Sequence, residues 1–226
     1  MSDIMSATQE FLRTGIGQTI IFLVAGALFL GVTGALFKKA KMNIHSMTTI
    51  SLAISLAFLL SFITPFSMPQ GGSVTFMSMF VVSLIGFWFG PAIGITAGLS
   101  YGLLQTIQGV WIIHPIQFLL DYPIAFSMLG LSGFFRNMKF GMQIGFVVAA
   151  TGRFIISTIA GFYWLQGTYD NFIATLISSA IYNSLYIFPE IIGTLIIISI
   201  PSVLGAINKL TDSVKKESIA IKASSL

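Results

Sequence analysis

The chain has 226 residues, of which 55% are hydrophobic and 8% are charged, and its formal net charge at pH 7 is +4. A soluble domain has roughly a quarter of its residues charged, so this composition excludes a soluble enzyme, a nucleic-acid-binding protein and a disordered linker. Residues 42–120 contain no Lys, Arg, Asp or Glu, and one helical membrane crossing needs only about 20 apolar residues. The sequence therefore predicts an integral membrane protein.

Glycine, proline and charged residues divide the chain into seven predicted helices. Every backbone polar group in lipid must bond internally, and the apolar runs lack the alternation of a transmembrane β-strand, so helices are the expected structure. The last run is long for one crossing and is expected to tilt or to continue beyond the membrane. The predicted helices span residues 16–37, 47–64, 75–89, 91–109, 115–135, 142–165 and 173–206.

Basic residues cluster in three segments, residues 38–41, 136–139 and 209–222. The loops that join the predicted helices at their other ends contain no Lys or Arg. By the positive-inside rule, seven spans then place the N-terminus outside and the C-terminus in the cytoplasm.

Without the first span, both ends of the remaining chain lie on the inner side. We therefore expect an all-α membrane protein in which one helix has been added to a six-helix bundle. Its parts are an extra N-terminal transmembrane helix at residues 1–41, a six-helix membrane domain at 42–208 and a cytoplasmic basic tail at 209–226.

Two small-residue patterns predict where helices touch. Ala53 and Ala57 form a small-xxx-small pair, which fits either packing inside the chain or the docking of another subunit. Four glycines at every fourth position predict a smooth ridge along which a neighbouring backbone approaches closely. This ridge consists of Gly90, Gly94, Gly98 and Gly102.

The fifth predicted helix carries a polar stripe, because His114, Gln117 and Asp121 follow the i, i+3, i+7 spacing, and Pro115 suits its first turn. A charged residue at mid-membrane costs roughly 2.5–3.5 kcal/mol, so Asp121 should face the interior. No basic residue lies near it on its own helix or in the outer loops, which makes a ligand its expected partner. His114 should be solvated and no metal site is predicted, since the other histidine, His45, belongs to the opposite side.

The last two predicted helices also carry polar stripes. Arg153 and Glu190 both fall toward mid-membrane, so we expect a structural ion pair between them. Asn183 fits either an interhelical hydrogen bond or a ligand contact. The stripes consist of Arg153, Ser157 and Trp164 on the sixth helix and of Ser179, Asn183, Tyr186 and Glu190 on the seventh.

Tryptophan and tyrosine residues cluster near the outer ends of the predicted helices, in the same layer of the membrane domain as Asp121. Aromatic belts at the membrane interface are the usual reason for such clusters. A carboxylate ringed by aromatic faces also complements a flat cation, because each ring contributes roughly 0.5–2 kcal/mol of cation–π attraction. The pattern predicts a small organic cation as ligand. The aromatic set is Trp111, Tyr122, Tyr163, Trp164, Tyr169 and Tyr182.

Sequence motifs for catalysis and energy conversion are absent. There is no cysteine, no G-x-x-x-x-G-K-[ST] phosphate loop, no H-E-x-x-H and no G-x-S-x-G, so we predict no catalytic residue and no cofactor. Uphill transport would take its energy from a partner or from an ion gradient.

Five stretches match one known family in order and spacing over about residues 47–206. They are MPQGGS at 68–73, YGLLQ at 101–105, HPIQFLLDYP at 114–123, GRFI at 152–155 and IYN at 181–183 leading to Pro189 and Glu190. They resemble the thiamine-specific substrate-binding subunits, or S components, of energy-coupling factor (ECF) vitamin transporters. The resemblance implies a six-helix bundle with an outward-facing vitamin pocket in a bacterial plasma membrane. It also implies a membrane coupling protein and two cytoplasmic ATPases as partners.

The resemblance assigns roles to individual residues. It implies that the pocket carboxylate is Asp121, which would bind the aminopyrimidine while aromatic faces cover the thiazolium ring. It also implies that Ala53 and Ala57 form the docking surface for the coupling protein. The residues predicted to bind substrate are Asp121, Tyr122, Trp111, Asn183, Gln117, His114, Trp164, Ser157, Ser178, Tyr182, Gly71 and Gly72.

Departures from the family pattern leave two questions open. Ser157 and Ser178 stand where the family has a histidine and a tyrosine, and Asp121 stands for a glutamate. The ligand could therefore be thiamine, a phosphorylated form, a precursor or another vitamin. The alternative function is a self-sufficient proton- or cation-coupled secondary transporter with Asp121, Arg153 and Glu190 as a relay.

Overall fold

The computed structural model describes residues 44–109, 111–165, 168 and 171–224, with side chains as far as residue 216. The extra N-terminal helix predicted in residues 1–41 and the aromatic Tyr169 lie outside the described residues.

The regular secondary structure of the described residues is helical except for one short antiparallel hairpin, in which Phe66 pairs with Val74 and Ser67 pairs with Ser73. Predicted and observed helix ends agree to within about one turn at most positions. The helices are α1 (Ile44–Leu60), α2 (Ser78–Phe89), α3 (Pro91–Gln105), α4 (Pro115–Phe135), α5 (Gly141–Leu165), α6 (Phe172–Ser199) and α7 (Pro201–Ser224), and the strands are β1 (Phe66–Ser67) and β2 (Ser73–Val74).

Three helices, α4, α5 and α6, are long and apolar enough to cross a membrane, and α1 and α2 are shorter apolar helices. At 1.5 Å per residue, the 12 residues of α2 reach about 18 Å, which is less than the roughly 30 Å of a hydrocarbon core. The prediction of an all-α membrane protein is confirmed. The count of six spans plus one stays a prediction.

The prediction of one continuous last helix at residues 173–206 is wrong. The run predicted at 173–206 divides at Ile200, whose backbone is extended at φ −65° and ψ 123°. Pro201 is the cause, because its ring disfavours helical geometry in the preceding residue and it has no N–H to continue the helix. The segment predicted as a basic tail from residue 209 is therefore part of α7.

Helix α4 is irregular where it carries its polar residues. Leu120–Ile124 form a π-helical turn and Met128–Phe135 a 3₁₀ helix. Pro123 lies inside the π turn and cannot donate a helical hydrogen bond, so the wider turn accommodates it.

The glycine ridge of α3 lies against the backbone of its neighbours. A Cβ atom added at Gly98 would lie 2.3 Å from the carbonyl oxygen of Phe126, and one at Gly102 would lie 2.3 Å from that of Tyr122. At Gly94 the nearest atom would be the Cα of Gly86, at 2.4 Å. Close packing, predicted from the four-residue spacing, is thus observed against α2 and α4.

We expect Gly98→Ala to lower the free energy of unfolding by about 1–3 kcal/mol, because the added methyl group meets backbone that cannot rotate away. Reversible denaturation in detergent micelles measures this. Gly193→Ala is the matched control, since no atom outside its own stretch of helix lies within 4 Å of its added Cβ, and it should be neutral or stabilising. Equal stabilities of the two variants would contradict the packing argument.

Helix α1 buries the small pair that the sequence singled out. Ala53 is 8% exposed and Ala57 is 0% exposed, both within the main hydrophobic core, and the carbonyl oxygen of Ala57 accepts a 3.5 Å hydrogen bond from Tyr101 of α3. Both residues therefore pack inside the chain, and their role as a docking surface for the coupling protein stays a prediction. Small residues permit close helix contact within a chain as well as between chains.

Candidate functional site

A cavity of about 380 Å³ lies at one end of the bundle. Its wall is built from the β1–β2 hairpin, the C-terminal ends of α1 and α3, the start of α2, the first half of α4, the second half of α5 and the middle of α6. This volume falls within the usual range for small-molecule sites. Ten of the twelve predicted substrate-binding residues line it: Gly71, Gly72, Trp111, Gln117, Asp121, Tyr122, Ser157, Trp164, Tyr182 and Asn183.

Asp121 is held in place by its own helix. The Gln117 side-chain nitrogen donates to the Asp121 carboxylate at 2.8 Å and to the Trp111 carbonyl oxygen at 3.0 Å. The Gln117 side-chain oxygen accepts from the Ile113 backbone N–H at 3.1 Å. One amide thereby fixes both the carboxylate and the loop before α4, and Arg153 and Ser157 of α5 face the same carboxylate.

Two predicted site residues do not line the cavity. His114 is the N-cap of α4, where its Nδ1 accepts from the Ile116 backbone N–H at 3.1 Å, and its ring stacks on Tyr163 with centroids 5.2 Å apart. Ser178 is half-buried on α6, one position from Ser179, which faces inward. Because adjacent helical residues differ by about 100° in direction, Ser178 points away from the polar stripe.

Aromatic rings form much of the cavity wall. Tyr182 contacts Trp164 edge-to-face at 5.2 Å between centroids and Tyr186 at 5.9 Å. Tyr122 accepts a 3.4 Å hydrogen bond from the Trp111 backbone N–H through its hydroxyl. The rings around Asp121 are therefore braced by one another and by the loop.

The hairpin covers one side of the cavity. Its turn has Pro69 at the second position and Gly71 at the fourth, the arrangement favoured in a type I turn, and Gly71 has φ +89°. The Gly71 backbone N–H donates to the Met68 carbonyl oxygen at 3.2 Å. The Gly72 backbone N–H donates to the Tyr182 hydroxyl at 3.1 Å, which fastens the hairpin to α6.

The polar stripe predicted on α6 is buried and faces α5. Ser179 donates to the Thr158 carbonyl oxygen at 2.7 Å, and Asn183 donates to the Ser157 carbonyl oxygen at 3.2 Å. Asn183 accepts from the hydroxyl of Tyr186. Asn183 thus forms the interhelical hydrogen bond weighed from the sequence and also lines the cavity, while its contact with a ligand stays a prediction.

Glu190 is held by hydrogen bonds at the start of α2, and Arg153 lies close enough to interact with its carboxylate electrostatically, so the structural ion pair of Arg153 and Glu190 stays a prediction. Glu190 accepts from the Thr75 backbone N–H at 2.9 Å, the Thr75 hydroxyl at 2.7 Å and the Met79 backbone N–H at 3.2 Å. The guanidinium carbon of Arg153 lies 4.0 Å from the centroid of the Phe126 ring. The N-terminus of α2 offers Glu190 unpaired N–H groups, and this explains why the carboxylate lies there.

Several cavity residues were missed by the sequence analysis. Tyr101 is fully buried and its hydroxyl accepts from the Gln105 side chain, while Gln108 donates to the hydroxyl of Ser61. The signal for Tyr101 and Gln105 is the YGLLQ stretch at 101–105, one of the five that resemble the family. The other missed lining residues are Phe62, Thr64, Gln70, Ser73, Thr75, Ser78, Gly109, Phe126, Arg153 and Tyr186.

In the described part of the chain, no three His, Cys, Asp or Glu residues are grouped so that they could hold a metal ion. The chemistry that this cavity offers is one of binding. It presents a carboxylate, a guanidinium, several amides and hydroxyls, and aromatic faces.

Comparisons with known proteins agree with this geometry. The thiamine transporter protein family matches residues 47–207. The thiamine transporter ThiT of Bacillus subtilis (strain 168) is 38% identical over 117 residues, and this match covers 51% of the present chain and 58% of that relative. The family match spans the hairpin and all six helices from which the cavity is built, so the chain belongs to the thiamine transporter protein family.

Proposed function

We propose that this chain is the substrate-capture subunit of an ATP-driven vitamin importer, which binds thiamine or a close analogue from outside and delivers it inward. The observation that carries the proposal is the cavity in which Asp121 lies among Trp111, Tyr122, Trp164 and Tyr182. Family membership supports thiamine as the first ligand to test.

The charge of the site supports a cationic ligand. Asp121 and Arg153 line the cavity, and Glu190 lies buried behind Thr75, so two carboxylates and one guanidinium leave one formal negative charge. Thiamine carries one permanent positive charge on its thiazolium ring. A buried excess charge is costly unless it is paired, and the ligand would supply the pairing charge.

The aromatic surface supports the same ligand although two family rings are absent. Ser157 and Ser178 replace rings, yet Tyr101, Phe126 and Tyr186 also line the cavity. Flat heteroaromatic rings gain stacking and cation–π energy from such faces. We infer that these three rings compensate for the lost stacking surface.

Energy coupling through partner subunits rests on the resemblance and on the sequence. The chain has no phosphate-binding loop, so ATP hydrolysis would take place on two cytoplasmic ATPases joined by a membrane coupling protein. The proposed orientation places the cavity outside and the C-terminus in the cytoplasm.

The first test is equilibrium binding of thiamine to the purified chain, followed by tryptophan fluorescence. We expect saturable binding at nanomolar to low-micromolar thiamine, about −8 to −12 kcal/mol. Trp111 and Trp164 line the cavity, whereas Trp88 is buried at the opposite end and donates to Thr211 at 3.0 Å. The signal should therefore survive Trp88→Phe and disappear in the Trp111→Phe/Trp164→Phe variant. A folded chain that binds no thiamine would refute the ligand assignment.

The second test separates coupled import from self-sufficient transport. Proteoliposomes that hold the chain alone, with a pH gradient, should accumulate no thiamine. Liposomes that also hold the coupling protein and both ATPases should accumulate it only with ATP, and ATPases with an inactivated phosphate loop are the control. Gradient-driven uptake by the chain alone would overturn the capture-subunit proposal in favour of a secondary transporter.

A further inference from the structure

A second cluster of charged side chains lies at the end of the bundle opposite the cavity. There, α7 crosses the junction between α2 and α3 and the loop between α4 and α5, as the contacts of Trp88 and Lys215 show. The cations that the structure describes on these segments are Arg136 and Lys139 in the loop and Lys209, Lys215 and Lys216 on α7.

Helix α7 is fixed against the bundle by one face. Thr211 and Val214 are buried, and Leu204 and Ile207 pack against the core, which gives the i, i+3, i+7, i+10 spacing of an amphipathic helix. The Trp88 side chain donates to the Thr211 hydroxyl at 3.0 Å. This packing determines where the lysines of α7 lie.

Lys215 is held beside Arg136. Its ammonium donates to the Arg136 carbonyl oxygen at 3.4 Å and lies 4.3 Å from the centroid of the Phe87 ring. Partial burial and the charge of Arg136 lower the pKa of Lys215, and Asp212 opposes this shift. An ammonium has three donors, so two of them remain available to an external acceptor.

Arg136 has no acceptor among the described residues for its guanidinium, which lies over the junction between α2 and α3. Its Nη1 atom would be 3.4 Å from a Cβ atom added at Gly90. Asp212 is the acidic side chain that the structure describes near this pair. Two cations held together in this way attract an anion, and a guanidinium binds phosphate oxygens in a bidentate manner.

The side chains around the pair are apolar and exposed. Phe134 is 66%, Met138 54% and Phe140 64% exposed, and the Lys139 ammonium lies 5.5 Å from the Phe140 ring centroid. In a membrane protein such side chains contact acyl chains. Exposed apolar side chains beside cations are the arrangement expected at the boundary between hydrocarbon and water, where a phospholipid places its phosphate.

We propose that Arg136 and Lys215 bind the phosphate of an anionic phospholipid headgroup, while Phe134, Met138 and Phe140 contact its acyl chains. Basic pockets between membrane helices and anionic lipids on the cytoplasmic side are complementary in this way. The site is independent of the ligand of the cavity.

Lipid retention tests the proposal. The chain is purified in neutral detergent, incubated with phosphatidylglycerol or phosphatidylcholine and analysed by native mass spectrometry. The unaltered chain should retain at least fivefold more phosphatidylglycerol than phosphatidylcholine. Arg136→Gln/Lys215→Gln should lose this preference, whereas the matched control Lys209→Gln/Lys216→Gln, with the same change in charge, should keep at least half of it.

Additional measurements distinguish a lipid phosphate from soluble phosphate and check that the variants are folded. Arg136→Lys/Lys215→Arg should keep the preference, and all variants are compared for helix content by circular dichroism. If the double glutamine variant does not fold, Lys215→Gln alone replaces it. The proposal fails if the unaltered chain shows no preference, if the control loses as much as the test variant, or if millimolar inorganic phosphate displaces phosphatidylglycerol, which would indicate a site for soluble anions.

Discussion

Replacing Asp121 with asparagine should weaken thiamine binding by about 1.5–3 kcal/mol, which is roughly 10- to 150-fold in Kd. The variant keeps the shape of the side chain and can still accept from Gln117, so it removes mainly the charge. The lost energy is that of a charge-assisted hydrogen bond to the ligand. Titration of the purified variant by tryptophan fluorescence measures it.

Asp212→Asn is the matched control for Asp121→Asn, because it removes the same charge on an exposed position of α7, at the opposite end of the bundle. The Asp212→Asn variant should bind thiamine with the same affinity as the unaltered chain. An Asp121→Asn variant with unchanged affinity would remove Asp121 from the binding site.

Replacing Glu190 with alanine should lower the free energy of unfolding by about 3 kcal/mol. Three buried or half-buried donors, the Thr75 backbone and hydroxyl and the Met79 backbone, lose their acceptor, and each unsatisfied buried donor costs about 1–3 kcal/mol. Arg153 also loses a nearby opposite charge. Denaturation in detergent micelles checks the loss.

Thr75→Val is the companion to Glu190→Ala, because it removes only the hydroxyl and should cost about 1 kcal/mol. The double variant should cost less than the sum of the two, since the two residues share a hydrogen bond. A Glu190→Ala variant as stable as the unaltered chain would show that Thr75 and Met79 find other acceptors.

The sequence predicts best where helices are regular. Ser179, Asn183, Tyr186 and Glu190 were placed on one face by their spacing, and all four are buried on one face of α6. Their hydrogen-bond partners could not be predicted in the same way. Thr75 lies 115 positions from Glu190, and only the folded bundle brings the start of α2 beside α6.

Irregular backbone accounts for most of the remaining differences. The stripe on α4 was drawn for an ideal helix, but a π turn at Leu120–Ile124 surrounds Asp121, and His114 caps the helix instead of facing the cavity. The strands Phe66–Ser67 and Ser73–Val74 have two residues each, too few for an alternating pattern to be recognised.

The Ala53–Ala57 pair shows a different limit. A small-xxx-small pattern states that a close neighbour exists but not whether that neighbour belongs to the same chain. The resemblance favours a partner, and the burial of both residues shows a neighbour within the same chain, so docking of a partner stays a prediction.

The two attachments of the hairpin region to α6 have a mechanical consequence. Tyr182 holds Gly72, and Glu190 holds Thr75. The two anchors are eight positions apart on α6, about 12 Å along its axis, with Pro189 between them. A sliding or tilting movement of α6 would therefore move the hairpin together with the helix. The loop before α4 is tied to its own helix through Gln117, so a separation of the hairpin from that loop would leave both sets of hydrogen bonds intact.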